Sequence, residues 1–270
     1  MTDAALQLRF GSATLATGPE LHYAEQGEPD GAPVVLLHGW PDSWFSFSRV
    51  LPLLPDRFHA FAPDQRGFGD SDRTARSYAI DDLATDVVAF MDTVGLEHAA
   101  LVGHSMGTFV ARRAAELHPE RVSRLVLIGA AMTARNDVLE EVRANVEDLA
   151  DPVPVEFARE FQAGTVHVPL PDDFFEGIVG ESRKLPAHLW RELLEGVIAF
   201  DDVDELPAIT APTLIVWGDH DALFPREQQE RLLAAIPGAQ LTIYPETGHC
   251  PNWERPEKVA NDLDAFLPGP

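Results

Sequence analysis

The feature of this sequence that most limits its fold is a repeated alternation of short apolar runs with segments of helical period. Runs of this kind are typical of strands buried on both faces of a parallel sheet, and the first half of the chain contains four of them: residues 34–37, 59–62, 99–102 and 125–128. Between them, residues 80–94 and 108–117 place apolar side chains at helical spacing. The alternation predicts an α/β fold in which helices flank a mostly parallel sheet.

Both ends of the chain extend this predicted sheet. The alternation resumes late, with strands expected at 213–217 and 240–244 and helices at 227–235 and 256–267. Residues 6–10 and 21–24 instead alternate apolar with polar side chains, which predicts an antiparallel hairpin at one edge. Together these segments predict a sheet of eight strands.

Roughly 80 residues between the sixth and seventh predicted strands lack any strand pattern. Such a length is far beyond an ordinary loop, and helix-like stretches separated by prolines occur at 138–149, 155–162 and 189–200. The sequence therefore predicts an α/β core of residues 1–130 and 212–270. A helical cap, or lid, of residues 131–211 is expected to be inserted after the sixth strand.

Charge and cysteine content argue against several classes of function. The 270 residues carry a formal net charge of −24, and so acidic a surface repels nucleic-acid phosphates and anionic lipid headgroups. We therefore predict neither a nucleic-acid nor a membrane partner. The single cysteine, Cys250, allows no internal disulfide, and the first residues lack the basic and apolar regions of a signal peptide. We expect a cytoplasmic protein, and the sequence leaves its oligomeric state open.

A serine between two glycines marks a sharp turn from a strand into a helix. Gly103 and Gly107 each lie two residues from Ser105, directly after the apolar run 99–102. Side chains at the glycine positions would collide across so abrupt a turn, which presents the serine hydroxyl clear of the sheet on a strained backbone. The N-terminus of the following helix adds positive potential where an oxyanion would form. We interpret Ser105 as a catalytic nucleophile.

Several motifs along nearly the whole chain stand in an order typical of one family. They are His38-Gly39-Trp40-Pro41, residues 64–71, residues 103–107, Gly218-Asp219-His220-Asp221 and Gly248-His249. With these motifs the chain resembles capped enzymes of the α/β-hydrolase fold superfamily, in a serine-nucleophile branch similar to esterases and epoxide hydrolases. The resemblance implies a serine hydrolase of the carboxylic ester hydrolase class (EC 3.1.1-like), which cleaves small-molecule esters or lactones through an acyl-enzyme intermediate.

A serine hydroxyl needs a positioned base, and we assign that role to His249. It follows the strand 240–244, and Gly248 lets the loop bring the imidazole back over the sheet. The resemblance gives the same base and points to Asp221 as the acid, because that residue lies three positions after a glycine and four before a proline. Asp219 stays open as an alternative. Residues 129–131, where some relatives carry the acid, contain no carboxylate.

Two backbone N–H groups complete the predicted site as an oxyanion hole. The N–H of Met106, directly after the serine, is one donor, and the resemblance assigns the other to Trp40. Pro41 has no N–H to offer. The sequence contains no metal-ligand motif and no phosphate-binding or dinucleotide-binding loop, so we predict no metal and no cofactor.

Other activities on the same scaffold stay open. The segment from His38 to Asp42 also resembles epoxide hydrolases and haloalkane dehalogenases, but these use an aspartate where this chain has Ser105, and serine cannot form their alkyl-ester intermediate. Three alternatives remain: carbon–carbon bond hydrolysis of vinylogous diketones, perhydrolysis as in cofactor-free haloperoxidases, and slow-turnover ligand reception.

Seven aromatic side chains are candidates to line a pocket beneath the cap, although we expect most of them to pack the core: Trp40, Trp44, Phe157, Phe161, Phe174, Phe175 and Trp190.

Overall fold

A single sheet of eight strands forms the centre of the computed structural model, which describes residues 8–73 and 77–269. The strands are β1 (Arg9–Thr14), β2 (Glu20–Gln26), β3 (Ala32–Leu37), β4 (Phe58–Pro63), β5 (Ala99–His104), β6 (Val122–Ile128), β7 (Thr213–Gly218) and β8 (Gln240–Tyr244). Their order in the sheet is β1-β2-β4-β3-β5-β6-β7-β8. Strand β2 is antiparallel to both β1 and β4, and all other neighbours are parallel. The predicted fold class is confirmed.

Alternate side chains of the central strands pack into two different apolar clusters. In β3, Val34 and Leu36 belong to one cluster, whereas Val35 and Leu37 belong to the other. Successive side chains of a strand point to opposite faces of the sheet, so a strand covered on both faces is apolar at every position. This burial is the physical reason why nearly continuous apolar runs mark the central strands in the sequence.

Helices separate most of the later strands and follow the last one. The helices of the described residues are α1 (Ile80–Thr93), α2 (Met106–Leu117), α3 (Asp137–Glu147), α4 (Val155–Gly164), α5 (Asp172–Ser182), α6 (Ala187–Ala199), α7 (Arg226–Ala235), α8 (Pro251–Glu254) and α9 (Pro256–Phe266). Helices α3 to α6 lie between β6 and β7, in the stretch where a cap is predicted. None of the helices in the described part of the chain is long and apolar enough to span a bilayer. The cytoplasmic location stays a prediction.

Helix α5 is absent from the sequence prediction, which has three helices in this stretch where the structure has four. Two glycines, Gly177 and Gly180, lower its intrinsic helix propensity. Its buried face consists mainly of Phe174, Ile178 and Ser182, spaced four residues apart. Tertiary packing of this narrow face stabilises the helix, and periodicity alone does not reveal it.

The first strand lies further along the chain than the sequence pattern predicts. The expected strand covers residues 6–10, of which 6 and 7 lie outside the described residues, whereas β1 covers Arg9–Thr14. The last four residues of β1 are Gly-Ser-Ala-Thr and have no apolar alternation of their own. Its conformation depends on antiparallel pairing with β2, in which Ala13 lies opposite Leu21. Such pairing depends on the partner strand and is not encoded locally.

Candidate active site

Ser105 lies at the turn between β5 and α2 with a φ of 51° and a ψ of −118°. A positive φ is rare for a residue with a side chain, and here it marks a strained turn. A Cβ atom added at Gly103 would lie 2.2 Å from the carbonyl oxygen of Gly107, and one added at Gly107 would lie 2.1 Å from that of Leu37. Only glycine fits at these two positions, so the sequence spacing is a direct consequence of the turn.

His249 and Asp221 form a hydrogen-bonded pair at the carboxyl ends of β7 and β8. The distance between Nδ1 of His249 and Oδ2 of Asp221 is 2.9 Å, and both side chains are buried. The other carboxylate oxygen of Asp221 accepts the backbone N–H groups of Leu223 and Phe224, each at 2.9 Å. Both oxygens are therefore held, and the imidazole is held with them. Because a carboxylate only accepts, Nδ1 carries the proton and Nε2 is left with a lone pair.

Neither of the other sequence positions considered for the acid contacts His249 through a carboxylate. Asp219 instead bonds Nδ1 of its neighbour His220 at 2.8 Å on the surface. At Gly129, with a φ of 58°, an added Cβ would lie 2.6 Å from the carbonyl oxygen of His249 and 3.2 Å from its ring. Position 129, directly after β6, thus has no room for a side chain, because the His249 loop occupies that space.

Ser105 and His249 line the same cavity. Nε2 of His249 is buried and has no hydrogen-bond partner within residues 8–73 and 77–269. A buried nitrogen with a free lone pair costs stability unless a ligand or a reacting group uses it. The structure therefore places an unpaired basic nitrogen and a strained serine in the wall of one cavity, and a base of this kind is what activates a serine hydroxyl.

The loop after β3 approaches the serine closely. A Cβ added at Gly39 would lie only 2.9 Å from Cβ of Ser105. The loop is fixed by His38, whose Nδ1 contacts the carbonyl oxygen of Gly39 at 2.8 Å and whose Nε2 accepts the N–H of Gln65 at 3.0 Å.

The two predicted oxyanion donors flank this approach, since Trp40 follows Gly39 and Met106 follows Ser105. Both residues line the cavity. Within the part of the chain that the structure describes, the N–H groups of Trp40 and Met106 have no backbone acceptor. Free donors of this kind are what an oxyanion hole requires.

The cavity walls are largely apolar and come from both the sheet side and the α3–α6 helices. Of the seven aromatic candidates, Trp40 and Phe161 line the cavity, and their rings meet edge to face with centroids 5.0 Å apart. Trp190 is fully buried behind them and packs on Trp40 at 5.0 Å. The other apolar walls are Met106, Phe109, Leu139, Leu194, Val197, Leu223, Phe224 and Trp253.

Asp42 is a buried carboxyl in this cavity that the sequence analysis did not single out as a functional residue. Burial raises its pKa to about 7, although hydrogen bonds oppose that rise. Its Oδ1 accepts the side-chain amide of Gln162 from α4 at 3.0 Å, and the same amide also contacts the hydroxyl of Ser182 at 2.8 Å. Its Oδ2 lies 4.0 Å from Nδ1 of His104, whose pKa burial lowers well below the usual value. Its position directly after the oxyanion loop was the one sequence signal available.

The cavity offers no metal centre within the described residues. Two groups of three His, Cys, Asp or Glu side chains in the described residues have the spacing of metal ligands. Neither group includes a residue of the cavity wall. Cys250, which does line the cavity, is buried and donates weakly to the hydroxyl of Thr165 at 3.4 Å, and burial raises the pKa of its thiol well above the usual value. A thiol in that state is a packed wall residue rather than a nucleophile.

The sheet order, the serine turn and the histidine–aspartate pair together define an α/β hydrolase, and comparison with known proteins agrees. A sequence model of the alpha/beta hydrolase fold family matches residues 32–256, so the chain belongs to the α/β-hydrolase family. It is 30% identical over 271 residues to Lipase 3 of Moraxella sp. (strain TA144), covering 97% of this chain and 85% of that protein. It is 29% identical over 284 residues to a non-heme chloroperoxidase of Streptomyces lividans, covering 96% of this chain and 99% of that protein.

A solved structure extends this comparison. An esterase from Exiguobacterium antarcticum superimposes with a TM-score of 0.84 at 25% identity, covering 96% of this chain and 99% of that one. At the level of the family, these similarities support a hydrolase of ester substrates.

Proposed function

We propose that this protein is a serine hydrolase that cleaves carboxylic esters or lactones, with Ser105 as nucleophile, His249 as general base and Asp221 as the orienting acid. One observation carries the proposal. The His249 imidazole uses Nδ1 to bond Asp221 at 2.9 Å and has an unpaired, buried Nε2 in the cavity that Ser105 also lines. This is the arrangement that a base needs to take a serine proton.

The reaction follows from these positions. Ser105 attacks the substrate carbonyl carbon while Nε2 of His249 takes the hydroxyl proton, and the N–H groups of Trp40 and Met106 stabilise the oxyanion. The ester C–O bond then breaks and the imidazolium protonates the leaving alcohol oxygen, which in a lactone stays attached to the acyl chain. Water attacks the acyl-enzyme and gives a proton to His249, which returns it to the serine as the carboxylic acid leaves.

The largely apolar lining of the cavity favours a substrate of small to medium size that is partly apolar. We propose that residues 131–211 act as the cap over a core of residues 1–130 and 212–270, because α3, α4 and α6 supply Leu139, Phe161 and Leu194 to the cavity. On this proposal the cap sets which acyl or alcohol group is accepted.

Perhydrolysis is a second candidate, and the similarity to a non-heme chloroperoxidase supports it. Hydrogen peroxide would replace water at the acyl-enzyme, so that a peracid leaves and the serine is regenerated. The same three side chains would serve both reactions. The ratio of peracid to acid product, measured with peroxide added to the ester assay, separates the two activities.

A panel of p-nitrophenyl esters of graded chain length and of simple lactones tests the main proposal, with Ser105→Ala as the matched variant. We expect repeated turnover with a chain-length optimum for the wild type and loss of turnover for the variant. One slow turnover per molecule would indicate a ligand receptor instead. Turnover of coloured dienol diketones without ester turnover would indicate a carbon–carbon hydrolase.

A further inference from the structure

Two imidazoles and a carboxylate meet on the surface, close to the loops that carry Asp221 and His249. His167 follows α4, His220 follows β7 and Glu246 follows β8. One potential ligand atom from each lies within 4.8 Å of the others. The two histidine rings stack with centroids 3.9 Å apart, and Nε2 of His167 lies 3.5 Å from Oε2 of Glu246. Three segments far apart in the chain therefore converge on one small volume.

Neighbouring groups hold two of these residues in place. Nδ1 of His220 is bonded to the carboxylate of Asp219 at 2.8 Å, which leaves its Nε2 free. A carboxylate on the second nitrogen is the usual support of a metal-ligating histidine, since it fixes the tautomer and raises basicity. The backbone N–H of His167 is held by Glu254 at 3.0 Å.

Glu246 adds a backbone signal. Its φ is 49°, and within the described residues only Ser105 shares a positive φ among residues other than glycine. Strain of this kind persists where the surrounding structure enforces it, and it concentrates at functional sites. The turn presents the carboxylate of Glu246 to the two imidazoles.

A second cluster with similar spacing, His22, Asp64 and Asp70, has its carboxylates engaged in other contacts. Asp64 already accepts the backbone N–H of Trp44 at 2.7 Å, that of Asp70 at 3.0 Å and Nδ1 of His22 at 2.9 Å. Asp70 pairs with Lys184 at 2.9 Å. Both carboxylates are thus engaged within the fold, and the lysine ammonium already supplies a cation, so we interpret that cluster as structural.

We propose that His167, His220 and Glu246 bind Zn²⁺ or a similar divalent transition metal ion, with water in the remaining coordination positions. Imidazole nitrogen and carboxylate oxygen suit these ions. All three side chains are exposed, so small torsional rotations close the gap to zinc bond lengths of roughly 2.0–2.2 Å. The net charge of −24 adds attraction for a cation.

The proposed site lies next to the catalytic candidates without sharing a residue with them. His220 directly precedes Asp221, and the segment that carries His167 is bonded to the other loop, since the carbonyl oxygen of Thr165 accepts the backbone N–H of His249 at 2.8 Å. A bound ion would hold the segment after α4 against both loops. The proposal is independent of the substrate and of the reaction.

Titration calorimetry with ZnCl2 on tag-free, EDTA-treated full-length protein tests the site. We expect one equivalent to bind to the wild type, with affinity lowered by at least about tenfold in His167→Ala and in His220→Ala. His118→Ala is the matched control, because it removes a partly exposed histidine that also lies beside a glutamate. We expect the control to bind as the wild type does. Zn²⁺ should also raise the melting temperature of the wild type and of the control.

Two outcomes would overturn the proposal: no binding by the wild type at millimolar ZnCl2, or equal binding by the wild type and both histidine variants. Circular dichroism establishes that the variants are folded. If neither histidine variant folds, Glu246→Gln at this exposed position replaces them, and unchanged affinity in that variant would equally contradict the site.

Discussion

Arg112 and Asp202 form a fully buried ion pair with two hydrogen bonds of 2.5 Å each. Arg112 lies in α2, and its guanidinium also donates to the carbonyl oxygens of Ala131 and Met132 at 2.6 and 3.1 Å. Residues 131 and 132 follow β6, and Asp202 precedes β7. The Arg112 side chain therefore bonds to both segments that connect the sheet with the helices α3 to α6.

Replacing Arg112 with methionine should destabilise the protein by about 3–5 kcal/mol, because Asp202 would keep a buried charge without a partner. Guanidinium unfolding measures the change. Arg226→Ala, which breaks an exposed pair with Glu230, is the control and should leave the unfolding midpoint nearly unchanged. If Arg112→Met lost no more free energy of unfolding than the control, the ion pair would not stabilise these two connecting segments.

Gly129→Ala should lower kcat/KM by roughly 10²-fold, because its new Cβ would press on the His249 loop and misplace the imidazole. Gly164→Ala is the matched control, since a Cβ there meets no atom within 4 Å. Steady-state kinetics on the best p-nitrophenyl ester compares them. Equal rates in both variants would show that the position of the His249 loop does not depend on Gly129.

Asp221→Asn should lower kcat by about 10³–10⁴-fold, because an amide facing Nδ1 favours the wrong imidazole tautomer. Asp219→Asn should retain most of the wild-type rate, since Asp219 contacts His220 and not His249. Both are assayed in EDTA so that bound metal does not contribute. If Asp219→Asn lowered kcat more than Asp221→Asn did, Asp219 would be the orienting acid instead.

Asp42→Asn should change the dependence of stability on pH. Burial raises the pKa of Asp42 from 3.8 to about 7, so between these values the native state keeps a proton that the unfolded chain has lost. Because the unfolded state then binds fewer protons, wild-type stability falls as pH rises through this window, by up to about 1.4 kcal/mol per pH unit from this group, and levels off above it.

The asparagine variant lacks this ionisation and still offers an oxygen to Gln162. The free energy of unfolding of Asp42→Asn, relative to that of the wild type, should therefore increase from about pH 4 to pH 7 and then stay constant. Guanidinium unfolding at a series of pH values measures it, with Asp30→Asn, at an exposed position, as control. Parallel stability curves for wild type and Asp42→Asn would contradict the assignment.

The sequence by itself determined the features whose cause is local. Strands buried on both faces must be apolar at every position, which is why β3 to β6 could be located before the structure. The turn at Ser105 excludes any Cβ at Gly103 and Gly107, so the spacing of these two glycines around the serine reveals the turn in the sequence. The candidates Asp221 and His249 follow strands whose carboxyl ends meet at one edge of a parallel sheet.

Only the tertiary structure decided the features that depend on partners distant in the chain. Strand β1 and helix α5 owe their positions to pairing and packing that no local pattern records. The raised pKa of Asp42 comes from its burial, which the hydrogen bond from Gln162 of α4 offsets only in part. Arg112 reaches an aspartate 90 residues away. Burial and electrostatic coupling belong to the folded arrangement, because the residues that produce them become neighbours only on folding.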